Sequence, residues 1–277
     1  MVEATGSHAG GGGFLAPSLP SPAPTTSTVS TLRPDLPHPR RQPLRPGSAK
    51  EDQVRDFISD RMSHITRRFV KKTGGASLDG DPGDDIEGYG SMAELCKDLD
   101  EIVNIIWLSG TPSLQIPSLL NIASELNTWM PSFPPSPAAT FGILHKLDHC
   151  FASLLAGEDA ETREPLPGFD KGLRSGLSRT DMVRCKSTVQ HTRVLVVDVM
   201  SKRESQEDGA EPTDQTGDED DESGVEGPRR SGALGLDDDE DEELHMDVAR
   251  VYEKTLVKLG ETLGESGVGE MIQMSAD

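Results

Sequence analysis

Large apolar side chains recur every three to four residues in several separate stretches of this chain, and each stretch is bounded by residues that start or stop a helix. Such a pattern can bury itself only as helices packed on helices. Ser48 with Glu51 forms the first start signal, and Val54, Phe57, Ile58, Met62, Ile65 and Phe69 then share one face until Gly74 and Gly75. Ser91 with Glu94 repeats the device ahead of Leu95, Leu99, Ile102, Val103 and Ile106, and Ser109-Gly110-Thr111-Pro112 ends that run. A third helix is expected to begin at Pro112 or Pro117 and to stop at Pro131, carrying Leu119, Leu120, Ile122, Ala123, Leu126, Trp129 and Met130. Ser136-Pro137 opens a fourth, lined by Leu144, Leu147, Phe151, Leu154 and Leu155 as far as Gly157. Connections of a few residues make these helices antiparallel neighbours.

Beyond a polar loop, Ser178 and Asp181 start another helix, with Met182, Cys185, Val189, Val196 and Met200 on its buried side. Its stretch Val194–Val199 is rich in β-branched residues and also reads as a strand, but no second strand exists to pair with it, so helix is the expectation. Leu244, Val248, Val251, Tyr252, Leu256, Leu259 and Leu263 give a last amphipathic helix over 244–263, returning to the bundle ahead of a flexible tail, 264–277. The fold class is therefore all-α: an irregular bundle of five or six helices.

Two long segments do not fit a packed core. Residues 1–47 hold nine of the twenty prolines and few large apolar residues, and are expected to be a disordered arm preceding a helical domain over 48–203. Residues 204–243 hold 18 Asp or Glu against Arg229 and Arg230, a net −16 out of the protein's −21, and self-repulsion should keep this acidic tract open. That charge disfavours general affinity for nucleic acid or anionic membranes. No apolar run is long enough to span a bilayer, and Met1–Gly13 lacks the features of a signal peptide, so an intracellular protein is expected. Cys96, Cys150 and Cys185 suit buried thiols in a reducing compartment.

Several sequence blocks carry a resemblance. Asp84-Asp85-Ile86-Glu87-Gly88-Tyr89-Gly90, Leu99–Asn104, Trp107–Pro117, Pro131–Pro135, Lys146-Leu147-Asp148, Phe151–Leu155 and Thr192–Val197 together resemble a family of helical proteins from filamentous ascomycete fungi, some labelled meiotic recombination proteins. The likeness spans roughly 84–203 and the last helix. It implies nuclear work in recombination, as an accessory: a recombinase motor needs G-x-x-x-x-G-K-[ST], and the nearest stretch, Gly168-Phe169-Asp170-Lys171-Gly172, has the wrong spacing.

No constellation for catalysis stands out. His145 and His149 lie one turn apart beside Cys150, yet a zinc peptidase would carry Glu where this chain has Lys146, so no metal and no cofactor are expected. Trp107 and Trp129, near helix ends, are read either as caps of the core or as anchors for a partner. Arg67, Arg68, Lys71 and Lys72 make one basic surface, and Arg184 and Lys186 belong to another; both are candidate nucleic-acid contacts, a reading weaker than solvated helix faces. Arg40, Pro43 and Pro46 fit R-x-x-P-x-x-P, which a polyproline-binding groove would accept. Leu256, Leu259 and Leu263 either complete the core or dock on a partner. The expected function is a non-enzymatic nuclear interaction or scaffold protein whose helical domain docks on protein partners and whose acidic tract engages basic nuclear proteins. The alternative is a recombination accessory that touches DNA through the basic faces.

Overall fold

The structure is a computed structural model that describes residues 35–74, 86–170, 172–207 and 237–273, with 202–207, 237–243 and 265–273 as backbone only. Among these residues it is all-α, with no strand beyond a single bridge between Glu158 and Pro165. The helices are α1 (Ala49–Lys72), α2 (Met92–Leu108), α3 (Pro112–Trp129), α4 (Pro137–Ala156), α5 (Arg179–Glu207), α6 (Asp237–Arg250) and α7 (Glu253–Gln273).

The expected start signals work as hydrogen bonds. Ser48 Oγ accepts from Glu51 N at 3.3 Å, while the Glu51 carboxylate reaches back to Gly47 N at 2.7 Å. Ser91 and Glu94 repeat this arrangement, with Gly90 N donating to the Glu94 carboxylate. Ser178 and Asp181 exchange both bonds of a capping box at the start of α5. Pro112 is the first residue of α3 and Pro117 lies inside it. Gly157 ends α4 with φ +73, a left-handed conformation in which its N–H bonds Ser153 O at 2.8 Å.

The core is built around α4, which packs on α2 and α7, while α3 packs on α5 and α1 lies on α2. Buried residues line almost every side of α4, as a central helix requires. The residues Val194–Val199 stay helical within α5.

Four boundaries differ from the sequence expectation. Residues 35–47 are not a free arm: they form an extended strap in which Arg40 N donates to Leu108 O, Leu44 N donates to Thr111 Oγ1 at 2.8 Å, and Leu44 is buried. A proline-rich segment holds its place here because a buried hydroxyl and an apolar socket are waiting for it. The strap contains Arg40, Pro43 and Pro46, so the R-x-x-P-x-x-P stretch already lies against the bundle. Helix also extends into both ends of the acidic tract, over 204–207 and 237–243, where Glu favours helix and carboxylates in the first turn of α6 complement its dipole. The last helix, expected to be continuous over 244–263, is interrupted: α6 stops at Arg250, Val251 and Tyr252 turn inward, and Tyr252 adopts φ +56. Finally α7 continues past Leu263 to Gln273, through residues read as a flexible tail, because adding turns to a formed helix costs little. The remainder of the expected arm (1–34), the centre of the acidic tract (208–236) and the last residues (274–277) lie outside the described residues.

Candidate docking surfaces

Several polar side chains inside the bundle fasten one element to another. Asp148, in the middle of α4, is buried, and its carboxylate caps α7 from 106 residues away: Oδ1 accepts from Thr255 N at 2.8 Å and Thr255 Oγ1 at 2.6 Å, and Oδ2 from Lys254 N at 3.3 Å. These are the orphan N–H groups of a helix start, satisfied by a side chain from a different element. Burial pushes the Asp148 carboxyl above its ordinary value of 3.8, and the bonds from Thr255 and Lys254 offset only part of that.

The next residue makes a second clasp. His149 Nε2 lies 3.1 Å from Asp159 Oδ2, the ring meets Trp107 edge-on at 5.7 Å, and buried Nδ1 has no hydrogen-bond partner among the described residues, the Glu161 carboxylate standing 3.9 Å away. Desolvation pushes Asp159 up, but the N–H groups of Thr162 and Glu161 and the His149 ring together outweigh it and hold its carboxyl below the ordinary value. Glu161 reaches Lys254 Nζ at 3.2 Å, tying this loop to α7. Lys146, one turn before, bonds Asp100 at 2.5 Å and Asn104 at 3.1 Å on α2. His149 Nε2 thus faces the Asp159 carboxylate, and among the described residues no three His, Cys, Asp or Glu side chains gather as metal ligands would.

The candidate contacts scatter. Arg68 is turned inward: it pairs with Asp98 at 2.9 Å and Glu94 at 3.2 Å, donates to Glu87 O at 3.1 Å, and stacks over the Tyr89 ring at 4.0 Å. Tyr89 OH shares the Asp98 carboxylate at 2.7 Å, so this knot locks α1 onto α2 and leaves the guanidinium little for a phosphate. Lys72 sits over the Phe133 ring at 4.6 Å and Lys71 is half-buried, which leaves Arg67 as the exposed member of that quartet. Arg184 and Lys186 are exposed on α5, a helix that packs on α3 and α7, whereas α1 packs chiefly on α2. The two basic sets thus ride on different helices.

Trp107 and Trp129 are 1% and 2% exposed. Trp129 packs on Phe69 and Trp107 on His149, so neither indole presents a face to a partner. Leu259 is buried and Leu256 and Leu263 are half-buried against the same core, which places all three on this chain's own bundle.

Sequence reasoning passed over Thr255 and Asp159, weighed His149 only as a metal ligand, and named Asp148 only within a resemblance. The available signal was Asp148 itself, a carboxylate set among Leu144, Leu147, Phe151 and Leu155 on a helix too apolar to spare it for solvent.

No curated protein and no solved structure matches this chain. A protein family does: residues 88–260 match TFB6, described as subunit 11 of the general transcription factor TFIIH. The match runs from the approach to α2 into α7, so it includes both partners of the Asp148–Thr255 clasp and the whole of α5; the strap and α1 fall outside it. The description names transcription and says nothing of recombination. With more than half of its 277 residues inside the match, the chain belongs to the family of TFB6, subunit 11 of the general transcription factor TFIIH.

Proposed function

We propose that this protein is a non-catalytic, nuclear subunit of a TFIIH-type general transcription factor, acting through protein–protein contact. The observation that carries the reading is the family match over 88–260, which takes in most of the bundle. The chemistry of the interior supports it: the buried Asp148, His149 and Lys146 each have a partner within the fold, and Cys96, Cys150 and Cys185 are buried thiols. Purification of the TFIIH assembly from cells carrying a tagged copy is the test. Recovery of this chain with the other subunits through size exclusion at moderate salt is expected, and its absence from the assembly overturns the reading.

The acidic tract adds a second contact to the proposal. Its carboxylates attract basic protein surfaces, and such attraction is screened beyond about 8 Å at physiological ionic strength. Full-length protein and a variant lacking 208–236, which spares the helical ends of the tract, should differ clearly in recovery of a basic nuclear protein such as a histone. Equal recovery by both defeats this part of the proposal and leaves the assembly reading standing.

A further inference from the structure

α5 has two apolar faces, and the fold uses one. Cys185, Val189, Thr192 and Val196, all fully buried, face the bundle. On the opposite side Val183, Val194 and Val197 are 56%, 70% and 51% exposed. At 100° per residue these three valines fall within about 60° of one another. Among the described residues, the other exposed large apolar side chains, Phe57, Leu108, Leu173, Met246 and Val257, each sit on a different element. Valine on an exposed helix face adds nothing to helix stability, because its branched side chain loses rotamer freedom there. Arg179 and Lys186 border the same stripe, exposed and in no ion pair among the described residues, while Asp181 is taken by Ser178. Arg193 reaches toward Ala249 O at 3.4 Å, so α6 runs along one flank.

We propose that the outer face of α5 is a docking site for an amphipathic helix of another subunit of the assembly, with carboxylates set to meet Arg179 and Lys186. This rests on the TFIIH-subunit reading above. Charge and apolar content select the occupant. The chain's own acidic stretch 208–236 has the charge, but its only large apolar residues are Val225, Leu234 and Leu236, and Pro212 and Pro228 interrupt it, so it has no face to match three valines. A second copy would bring like-charged borders together over a stripe of three small side chains, far below the roughly 800 Å² per partner of a stable two-body interface. In an assembly held by several contacts a stripe of this size adds usefully to avidity.

The test uses the purified assembly reconstituted with full-length protein carrying a photoreactive amino acid in place of Gln190, in the centre of the stripe. Cross-linking to one sister subunit, within a helical peptide rich in Asp or Glu, is the expected result. In parallel, Val194→Glu with Val197→Glu should weaken retention by about tenfold or more, and Lys186→Glu by a smaller, salt-sensitive factor. These positions are exposed, so an unchanged melting temperature and helical signal accompany the loss. Cross-links to 208–236, to a second copy or to nothing overturn the proposal, as does full retention of the double valine variant. If the unsubstituted chain itself fails to join the assembly, the subunit reading falls and this proposal with it. If that chain joins and the α5 variants join equally well, only the docking face is wrong.

Discussion

Replacing Asp148 with alanine should release α7 from the bundle. The substitution removes three acceptor contacts, to Thr255 N, Thr255 Oγ1 and Lys254 N. Thr255 is fully buried, so water cannot replace the lost carboxylate without opening the packing. Its hydroxyl retains the carbonyl of residue 148 at 3.1 Å, which leaves one buried N–H without a partner. An orphaned buried donor costs about 1–3 kcal/mol, and loss of a helix N-cap typically about 1 kcal/mol. Removing a carboxylate whose ionised form is disfavoured by burial returns a part of this, so the net cost is about 1–3 kcal/mol, or roughly 3–10 °C in melting temperature for a domain of this size. Asparagine tells charge from geometry. It keeps a carbonyl acceptor for Thr255, loses the one for Lys254 N and sheds the buried charge, so Asp148→Asn should cost about 1 kcal/mol, less than the alanine variant. The pH dependence has a fixed sign: a carboxyl raised in the folded state contributes stability that is fully present below its unfolded value near 3.8 and is lost as pH rises through the folded value. Asp148→Asn therefore gains on the native protein as pH rises from the acid range. Urea denaturation gives the global cost, and hydrogen exchange over 253–264 locates it. Exchange there should accelerate roughly ten- to a hundredfold in the alanine variant while α2 and α3 stay protected. Stability of Asp148→Ala within about 0.5 kcal/mol of the native protein, or an asparagine variant as damaged as the alanine one, refutes the capping argument.

The remaining predictions concern the strap, the His149 clasp and the thiols. Thr111→Val keeps side-chain shape but strands the Leu44 N–H, so trypsin should cut faster after Arg40 and Arg41; an unchanged cleavage rate shows that the strap does not depend on that hydroxyl. Asp159, held below its ordinary value of 3.8, contributes stability that is present above that pH and is lost as pH falls through its folded value, so Asp159→Asn should flatten the acid limb of a stability profile. If the limb is as steep in the variant, other carboxylates cause it. Burial pushes the Cys96 and Cys185 thiols up to about 12 and Cys150 higher still, so mass spectrometry after iodoacetamide at neutral pH should find the native chain unlabelled and the urea-unfolded chain labelled at all three; rapid native labelling counts against the packing described.

Where local chemistry decides, the sequence is enough. Ser48 with Glu51, Ser91 with Glu94, Ser178 with Asp181, the opening Pro137 and the closing Gly157 act within one helical turn, and each can be read without knowing what lies opposite. The break between α6 and α7 is a different case. Val248, Tyr252, Leu256, Leu259 and Leu263 keep a helical spacing straight across it, so periodicity describes one helix. What ends α6 is the pairing of the next helix start with a carboxylate on α4, a contact between residues 106 apart. The strap fails for a similar reason: Pro43 and Pro46 advertise disorder, while the Thr111 hydroxyl that holds Leu44 lies 67 residues on. Tryptophans near helix ends invite an interface reading, yet only the packing shows that Trp107 and Trp129 are spent on the core. α5 is ambiguous at source. Valines on both of its faces blur the helical period and make Val194–Val199 resemble a strand, and the same doubled pattern leaves an apolar stripe outside once one face is buried.

The limits of the family match do not coincide with the limits of the folding unit. The match begins at Gly88, and α1 ends 16 residues earlier, at Lys72. Gly88 nevertheless lies so near the last turn of α1 that a Cβ there would come within 2.8 Å of the Lys72 backbone nitrogen, closer than packed atoms approach. A glycine that only the neighbouring helix demands is a residue of the matched region shaped by a helix outside it. Arg68 makes the same connection from the other side, since its partners Glu94, Asp98 and the Tyr89 ring all lie within the match. Ile58 and Ile65, buried on the face between, close the contact with apolar surface. Backbone fit, a charged knot and apolar burial thus converge on one seam. Opening it would leave Asp98 without its guanidinium and the core with an uncovered side. The cooperative unit accordingly includes α1, and any fragment cut at the boundary of the match would lose part of its own core.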